Sequence, residues 1–396
     1  MDESRQSSGL SRILEVFWIA LRLGLTSFGG PIAHLGYFHA EYVQRRKWLD
    51  ERSYADLVAL CQFLPGPASS QVGIGIGIIR AGLMGGIVAW LGFTLPSVLA
   101  LILFAFAIQG LDMTSSGLIH GLKIVAVAIV AQAVWSMGKN LVPDRNRATI
   151  AILTMICTLL WPSALMHVLV IVVAAIIGFL LYQEANTEQL PRLGVLVSKK
   201  LAISCLALFF SLLILLPILR QACSSTWLAM FDSFYRAGSL VFGGGHVVLP
   251  LLEREVVPVG WIDAQTFLTG YGAAQAVPGP LFTFAAFLGA MMEGWLGALV
   301  ATIAIFLPAF LLVIGTLPFW DVLRRKAKVQ GALTGVNAAV VGILAAALYQ
   351  PIWTTTIHNV YDFSLGILLF GLLVHWKVPP WMVVILGALG GMLIIG

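Results

Sequence analysis

The sequence predicts an all-α polytopic membrane protein of two inverted homologous halves, with broken or re-entrant helices meeting near the bilayer midplane. Four observations carry this. Hydrophobic residues make up 59% of the 396 and charged residues only 10%, with a mean hydropathy of +0.95; about a quarter of a soluble domain is charged. Apolar stretches long enough to cross a bilayer, for which about 20 residues suffice, recur along the whole chain. There is no ten-residue alternation of the kind an outer-membrane barrel shows. Finally, the chain repeats itself, breaks included.

The apolar segments run at 13–40, 54–79, 82–109, 117–138, 148–161, 164–182, 199–219, 228–250, 264–290, 295–317, 331–350, 361–376 and 379–396. The first is not a cleavable leader, since it carries Glu15 and Arg22 and lacks a small-residue cleavage site. The most polar stretch, around Gln183–Lys200, separates the sixth from the seventh and reads as the linker. This divides the chain into a first repeat at 1–182, a linker with one connecting transmembrane helix at 183–226, and a second repeat at 227–396. Cys61, Cys157, Cys205 and Cys223 are scattered without a C-x-x-C pair and read as small apolar residues, implying no metal or disulfide framework.

Arg22-x-Gly24-x-x-x-Phe28-Gly29-Gly30 returns as Arg236-x-Gly238-x-x-x-Phe242-Gly243-Gly244, an offset of 214. Glu41 returns as Glu255, and Trp48-Leu-Asp50 as Trp261-Ile-Asp263. Gln62-x-x-Pro65-Gly66-Pro67 returns as Gln275-x-x-Pro278-Gly279-Pro280, where the offset has slipped to 213. Further on, Gly117-x-x-x-Gly121 matches Gly331-x-x-x-Gly335. Each half closes on a pair of short apolar segments split by proline, at Pro162 and at Pro379-Pro380.

Loop charges give orientation, because Lys and Arg concentrate on the cytoplasmic side. In the first half they fall on loop 40–52 (Arg45, Arg46, Lys47, Arg52) and on 139–147, and loop 110–116 has none. In the second half the matching loops 251–263 and 351–360 hold only Arg254, while 317–330 holds Arg324, Arg325, Lys326 and Lys328. The halves therefore read as opposed, an inverted repeat of the transporter type. The N-terminal tail and loop 40–52 both look cytoplasmic although an apolar segment lies between them. Segment 13–40 is then a re-entrant hairpin turning at Phe28-Gly-Gly-Pro31, and 54–79 another turning at Pro65-Gly-Pro67. The second half repeats both, at 228–250 and 264–290. Plain spans broken at the midplane would leave a similar sequence.

Backbone that leaves the helix inside a membrane must be buried in protein or line a cavity. Glycine permits such a turn, and proline suits the first position of the helix that follows. The new helix presents free N–H groups and about half a positive charge. Four such N-termini, if convergent, sum to roughly two positive charges, suited to a divalent oxyanion. The candidate residues are those of the turns: Phe28, Gly29, Gly30, Pro31, Pro65, Gly66, Pro67, Phe242, Gly243, Gly244, Gly245, Pro278, Gly279 and Pro280.

Arg22 and Arg236, each six residues ahead of its turn, offer forked donors to oxyanion oxygens. A structural ion pair is the alternative reading, with Glu15 near Arg22 and Asp232 one helical turn from Arg236. His34 and His246 lie beyond the turns without aligning; they carry a proton or simply hydrogen-bond. Gln62 and Gln275 are neutral donors, Ser69 with Ser70 and Gln71 donates after Pro67, and Lys123 opposite Asn337 adds field on one side. Trp48 and Trp261 read as interface anchors, and Asp50 and Asp263 as helix caps.

Phe28-Gly-Gly-Pro-x-x-His34, Trp48-Leu-Asp50, Pro65-Gly-Pro67, Phe242-Gly-Gly-Gly-His246 and Pro278-Gly-Pro280 together resemble the chromate ion transporter (CHR) family in its long, two-domain form. The resemblance covers essentially the whole chain, and the ordered, repeated set rather than any one motif makes it specific. It implies a multi-pass inner-membrane transporter that exports chromate and confers resistance, with sulfate a competitor and the paired motifs as functional residues. Gly245 stands where the first turn has Pro31. The expected partners are a chromate- or sulfate-like oxyanion, the lipid bilayer and a second copy in a homodimer; no cofactor, metal or nucleic acid is expected. No Walker motif is present, so the chain contains no ATP motor. The runner-up is a sulfate or other oxyanion uptake carrier, or an anion channel, on the same scaffold. An integral-membrane enzyme lacks support, there being no H-E-x-x-H or equivalent cluster.

Overall fold

The computed structural model describes residues 9–111, 117–161, 163–182, 197–242, 245–320 and 327–395, which form fifteen α-helices and no strand. This is the all-α polytopic membrane architecture expected. Apolar side chains of the connecting helix such as Ile203, Phe210, Ile214 and Ile218 stay exposed, the surface a chain presents to hydrocarbon.

In the first half, α1 (Gly9–Thr26) and α2 (Gly30–Phe38, continued by a π-helical turn at His39–Arg45) are separated by the Phe-Gly-Gly break. They run antiparallel: Arg22 pairs with Glu41, and Arg46 with Glu15 at 2.8 Å. Next, α3 (Glu51–Phe63) starts from an Asp50 cap whose carboxylate accepts from the Arg52 and Ser53 amides. These bonds, the Ser53 amide foremost, hold the Asp50 carboxyl below the usual carboxylate range. Helix α3 ends before Pro65-Gly-Pro67, and α4 (Ala68–Leu111) returns beside it.

A straight helix of 44 residues would be about 66 Å long, twice a bilayer's hydrocarbon core. Instead α4 doubles back at Ala81-Gly82, where Gly82 has φ 68°. The arms then touch so closely that a Cβ on Gly77 would lie 2.3 Å from the Gly85 carbonyl oxygen. Arg80, at the end of the first arm, therefore returns to Glu15, 3.0 Å away.

The second half repeats this sequence of elements. Helices α9 (Thr226–Leu240) and α10 (Val248–Val256) flank the second Phe-Gly-Gly break, with Arg236 reaching Glu255 at 2.9 Å. Helix α11 (Ala264–Ala274) is capped by Asp263, and α12 (Phe284–Thr316) reverses at Glu293-Gly294. A Cβ on Gly289 would meet the Gly297 oxygen at 2.2 Å, the same contact as in α4. Between the halves runs α8 (Lys199–Ala222).

The remaining helices exchange partners. The first half contributes α5 (Gly117–Leu141), α6 (Arg145–Leu160) and α7 (Ala164–Leu181). The second contributes α13 (Ala327–Ala347), α14 (Val360–Val374) and α15 (Pro380–Ile395). Gly117 and Gly121 on α5 pack against Gly391 and Gly387 on α15, while Gly331 and Gly335 on α13 pack against Gly178 and Ala174 on α7. Small residues let helix backbones approach closely where lipid supplies no hydrophobic drive between them. The terminal pair of each half is thus seated on the other half.

Candidate functional site

The four breaks meet, and two backbone hydrogen bonds show how. The Gly66 amide in the first Pro-Gly-Pro donates to the Val241 carbonyl of the second-half break at 2.7 Å. Reciprocally, the Gly279 amide donates to the Ser27 carbonyl at 3.0 Å. Ser27 and Val241 occupy equivalent places, as do Gly66 and Gly279, so each half's second turn is tied to the other half's first. Gly66 (φ 116°) and Gly279 (φ 100°) lie in a backbone region that side chains disfavour, which explains the glycine between two prolines.

Around this junction lie buried polar groups. His34 is 1% exposed; its Nδ1 sits 3.3 Å from Ser69 Oγ and its Nε2 has no partner. Gln71 donates from Nε2 to the Pro65 carbonyl at 2.8 Å, leaving Oε1 unpartnered. Ser27 Oγ, Ser70 Oγ and Gln275 Nε2 are also buried without partners. Such groups cost about 1–3 kcal/mol each while unsatisfied, so a ligand or water that satisfies them binds with that advantage.

Other expected residues are placed as follows. In the first half, Gly29 (φ 101°) and Gly30 form the break, Pro31 opens α2, and the Phe28 ring rests 6.2 Å from that of Trp381. Pro65 and Pro67 flank Gly66 at the junction, and Gln62 is exposed on α3. In the second half, Phe242 packs on the main core, and Gly245 starts a short 3-10 turn with Pro31 Cγ 3.5 Å from where its Cβ would be. His246 bonds Tyr271 Oη at 2.8 Å. His34 and His246 thus do the same job in their halves, tying the first hairpin to the second. Pro278 and Pro280 flank Gly279. Gly243 and Gly244 lie outside the described residues.

Lys123 is buried on α5, with Asp263 and Asp362 as the carboxylates acting on it; Asp362 itself is 2.7 Å from His120 Nε2. Arg22 and Arg236 are engaged at the feet of the hairpins. Arg22 pairs with Glu41, which also takes Arg46 at 2.8 Å. Arg236 pairs with Asp232 at 2.8 Å as well as with Glu255, and Arg220 joins at 3.3 Å from Asp232. A second cation covers the repeated tryptophan at each foot: Arg80 lies 4.8 Å from the Trp48 ring and Arg220 5.6 Å from Trp261. Repetition of Glu41 as Glu255 was the sequence signal for these networks. Ser70 was named after Pro67, but nothing in the repeat singled out Ser27 or Tyr271, whose roles depend on what packs against them.

Comparison with known proteins agrees with this architecture. The chromate transporter family profile matches residues 14–179 and 228–392, one stretch in each half. The chain is 28% identical to the chromate transport protein of Pseudomonas aeruginosa over 386 residues, covering 95% of this chain and 90% of that one. It is 26% identical to the probable chromate transport protein of Synechococcus elongatus over 385 residues, covering 94% and 93%. It is also 29% identical to an uncharacterized transporter of Methanocaldococcus jannaschii over 388 residues, covering 95% and 89%. No solved structure matches. With its fold built around two copies of the matched stretch, this multi-pass membrane protein belongs to the chromate transporter family.

Proposed function

We propose that the chain is a secondary transporter that exports chromate across the cell inner membrane, conferring resistance, and binds it where the four breaks meet. The reciprocal hydrogen bonds from Gly66 to Val241 and from Gly279 to Ser27 support this most directly: each ties one half's Pro-Gly-Pro turn to the other half's first break, and Gly245 beside Pro31 and Leu281 joins the two pairs. A helix N-terminus contributes about half a positive charge and free N–H groups. Buried Ser27, Ser70, His34 and Gln275 supply side-chain donors, as an oxyanion needs. Arg22 and Arg236 add positive field from the feet of the hairpins, where carboxylates hold them in this conformation.

In this reading the halves are opposed in the membrane and the hairpins are re-entrant, each half exposing the junction to its own face in turn. The tied turns make the two motions one: opening one half's first break pulls on the other half's second. Membrane potential alone favours anion exit, two charges across 100 mV being worth about 4.6 kcal/mol. The test is flux of labelled chromate and sulfate in vesicles of defined orientation, with potential and pH gradient set separately. Saturable chromate movement toward the extracytoplasmic side, inhibited by sulfate, is expected. Passive flux at channel rates, or uptake only, would replace the exporter with the channel or uptake carrier.

A further inference from the structure

A cavity of about 210 Å³ lies between the first turn of α7 and the α9–α10 hairpin, lined by His167, Arg236, Leu240, Leu251, Arg254 and Glu255. We propose that it is a second oxyanion site, a staging post for the transported ion beside the junction; this rests on the oxyanion reading above. Leu240 is the last residue of α9, and the next carbonyl, Val241, accepts the Gly66 amide. The cavity therefore runs from the hairpin foot to the edge of the junction.

Its chemistry is that of an anion site. His167 is 2% exposed and its Nδ1 has no partner. Arg236 spends Nη2 on Asp232 and Glu255, but its Nε is buried and unpartnered. Arg254 has Glu253 only at the long distance of 3.7 Å. A guanidinium has no acceptor to offer, so the ligand must bring acceptors. Of the charges lining the cavity, two are cationic and one, Glu255, already receives Arg236. Arg220 reaches Asp232 at 3.3 Å and Glu255 at 3.8 Å, and Glu253 stands beside Arg254. Three arginines thus meet three carboxylates, so the unpartnered Arg236 Nε and His167 ring nitrogen rather than net charge make the site. The first turn of α7, opened by the Ser163 cap, adds its partial positive charge. The volume is below the roughly 300 Å³ where organic ligand sites begin, and suits a five-atom oxyanion with a few waters of about 30 Å³ each.

The site is built between the halves, from α7 of the first and α9–α10 of the second, and the repeat does not reproduce it at the matching place. Ala174 packs on Gly335 as Gly387 packs on Gly121. Seven residues ahead of Ala174 stands His167, and seven ahead of Gly387 stands Pro380, which has no side-chain donor. Beside Pro380, at the place the repeat relates to the cavity wall, Trp381 lies against Phe28. Staging on one side only would make the two directions of transport kinetically unequal.

Equilibrium binding of labelled sulfate to the purified full-length protein in detergent tests this, with stoichiometry and affinity read together. Two equivalents per chain are expected for the native protein. His167→Ala and Arg254→Gln should each remove one, or weaken it by about tenfold or more, as expected for a lost charged hydrogen bond. Arg254→Lys, which keeps the charge, should restore part of it, and retained binding of the other equivalent certifies the fold. A single native equivalent indifferent to both substitutions would overturn the second site and leave the junction intact. Two equivalents that neither substitution touches would overturn it as well. Absence of any sulfate or chromate binding, together with absent vesicle transport, would defeat the underlying oxyanion reading instead.

Discussion

Replacing Gly279 by alanine perturbs the junction with a single methyl group. At φ 100° an alanine is strained whatever the space around it, and its Cβ would lie 3.0 Å from Ser97 Oγ and 3.3 Å from the Phe93 carbonyl oxygen. A side chain held in such backbone costs on the order of 1–3 kcal/mol, and the turn relieves it only by rotating the amide that donates to Ser27. At about 1.36 kcal/mol per decade, the strain amounts to a factor of between about five and more than a hundred. It falls on whichever transport conformation keeps this turn. Gly66→Ala is the matching perturbation, with φ 116° and Gln71 Nε2 3.1 Å from the new Cβ. The assay is the initial rate of chromate movement in vesicles containing equal amounts of correctly folded protein, beside thermal unfolding in detergent. Both variants should lose transport by a factor within that range and unfold at lower temperature. Native rates and native unfolding in both would refute the claim that these turns need glycine, are tied and are required.

Further substitutions report on the scaffold. In a double-mutant cycle of Arg236→Gln and Glu255→Gln, thermal unfolding should show a coupling of about 0.5–3 kcal/mol, as for contacting residues in one network. The same cycle at Arg22 and Glu41 should give less, about 1 kcal/mol or below, because the Arg22 side chain is 47% exposed. Gly335→Ala places a Cβ 1.9 Å from the Ala174 carbonyl oxygen, where backbone and not a flexible side chain must yield. About 1–3 kcal/mol of stability should be lost as α7 is pushed off α13, readable as a lower unfolding temperature.

Much of the fold was legible because its signals are local. Apolar runs fixed the membrane class, and glycine and proline marked where helices stop, as at Phe28-Gly29-Gly30 and Pro65-Gly66-Pro67. The Asp50 and Asp263 caps were legible for the same reason, since a cap acts within three residues of its own position. The sequence ended one apolar segment at 79 and began the next at 82, while only the structure shows the reversal at Ala81-Gly82, with Gly77 touching Gly85.

Which breaks meet was decided by packing across the chain. Nothing near Gly66 says that its amide partner is Val241, because the bond joins residues that only the folded halves bring together. The fate of the arginines was decided in the same way. The sequence placed a cation six residues before each turn, and only the antiparallel return of α2 and α10 put Glu41 and Glu255 beside them. The seating of α7 on α13 and of α15 on α5 was likewise silent, since glycine spacing shows that a helix can be approached closely but not by what. By itself the sequence determined the solvent, the breaks and the repetition, each set by composition and short-range backbone sterics. Only the tertiary structure decided which groups pair and which are left buried with bonds unmade, because pairing depends on contacts between residues far apart in the chain.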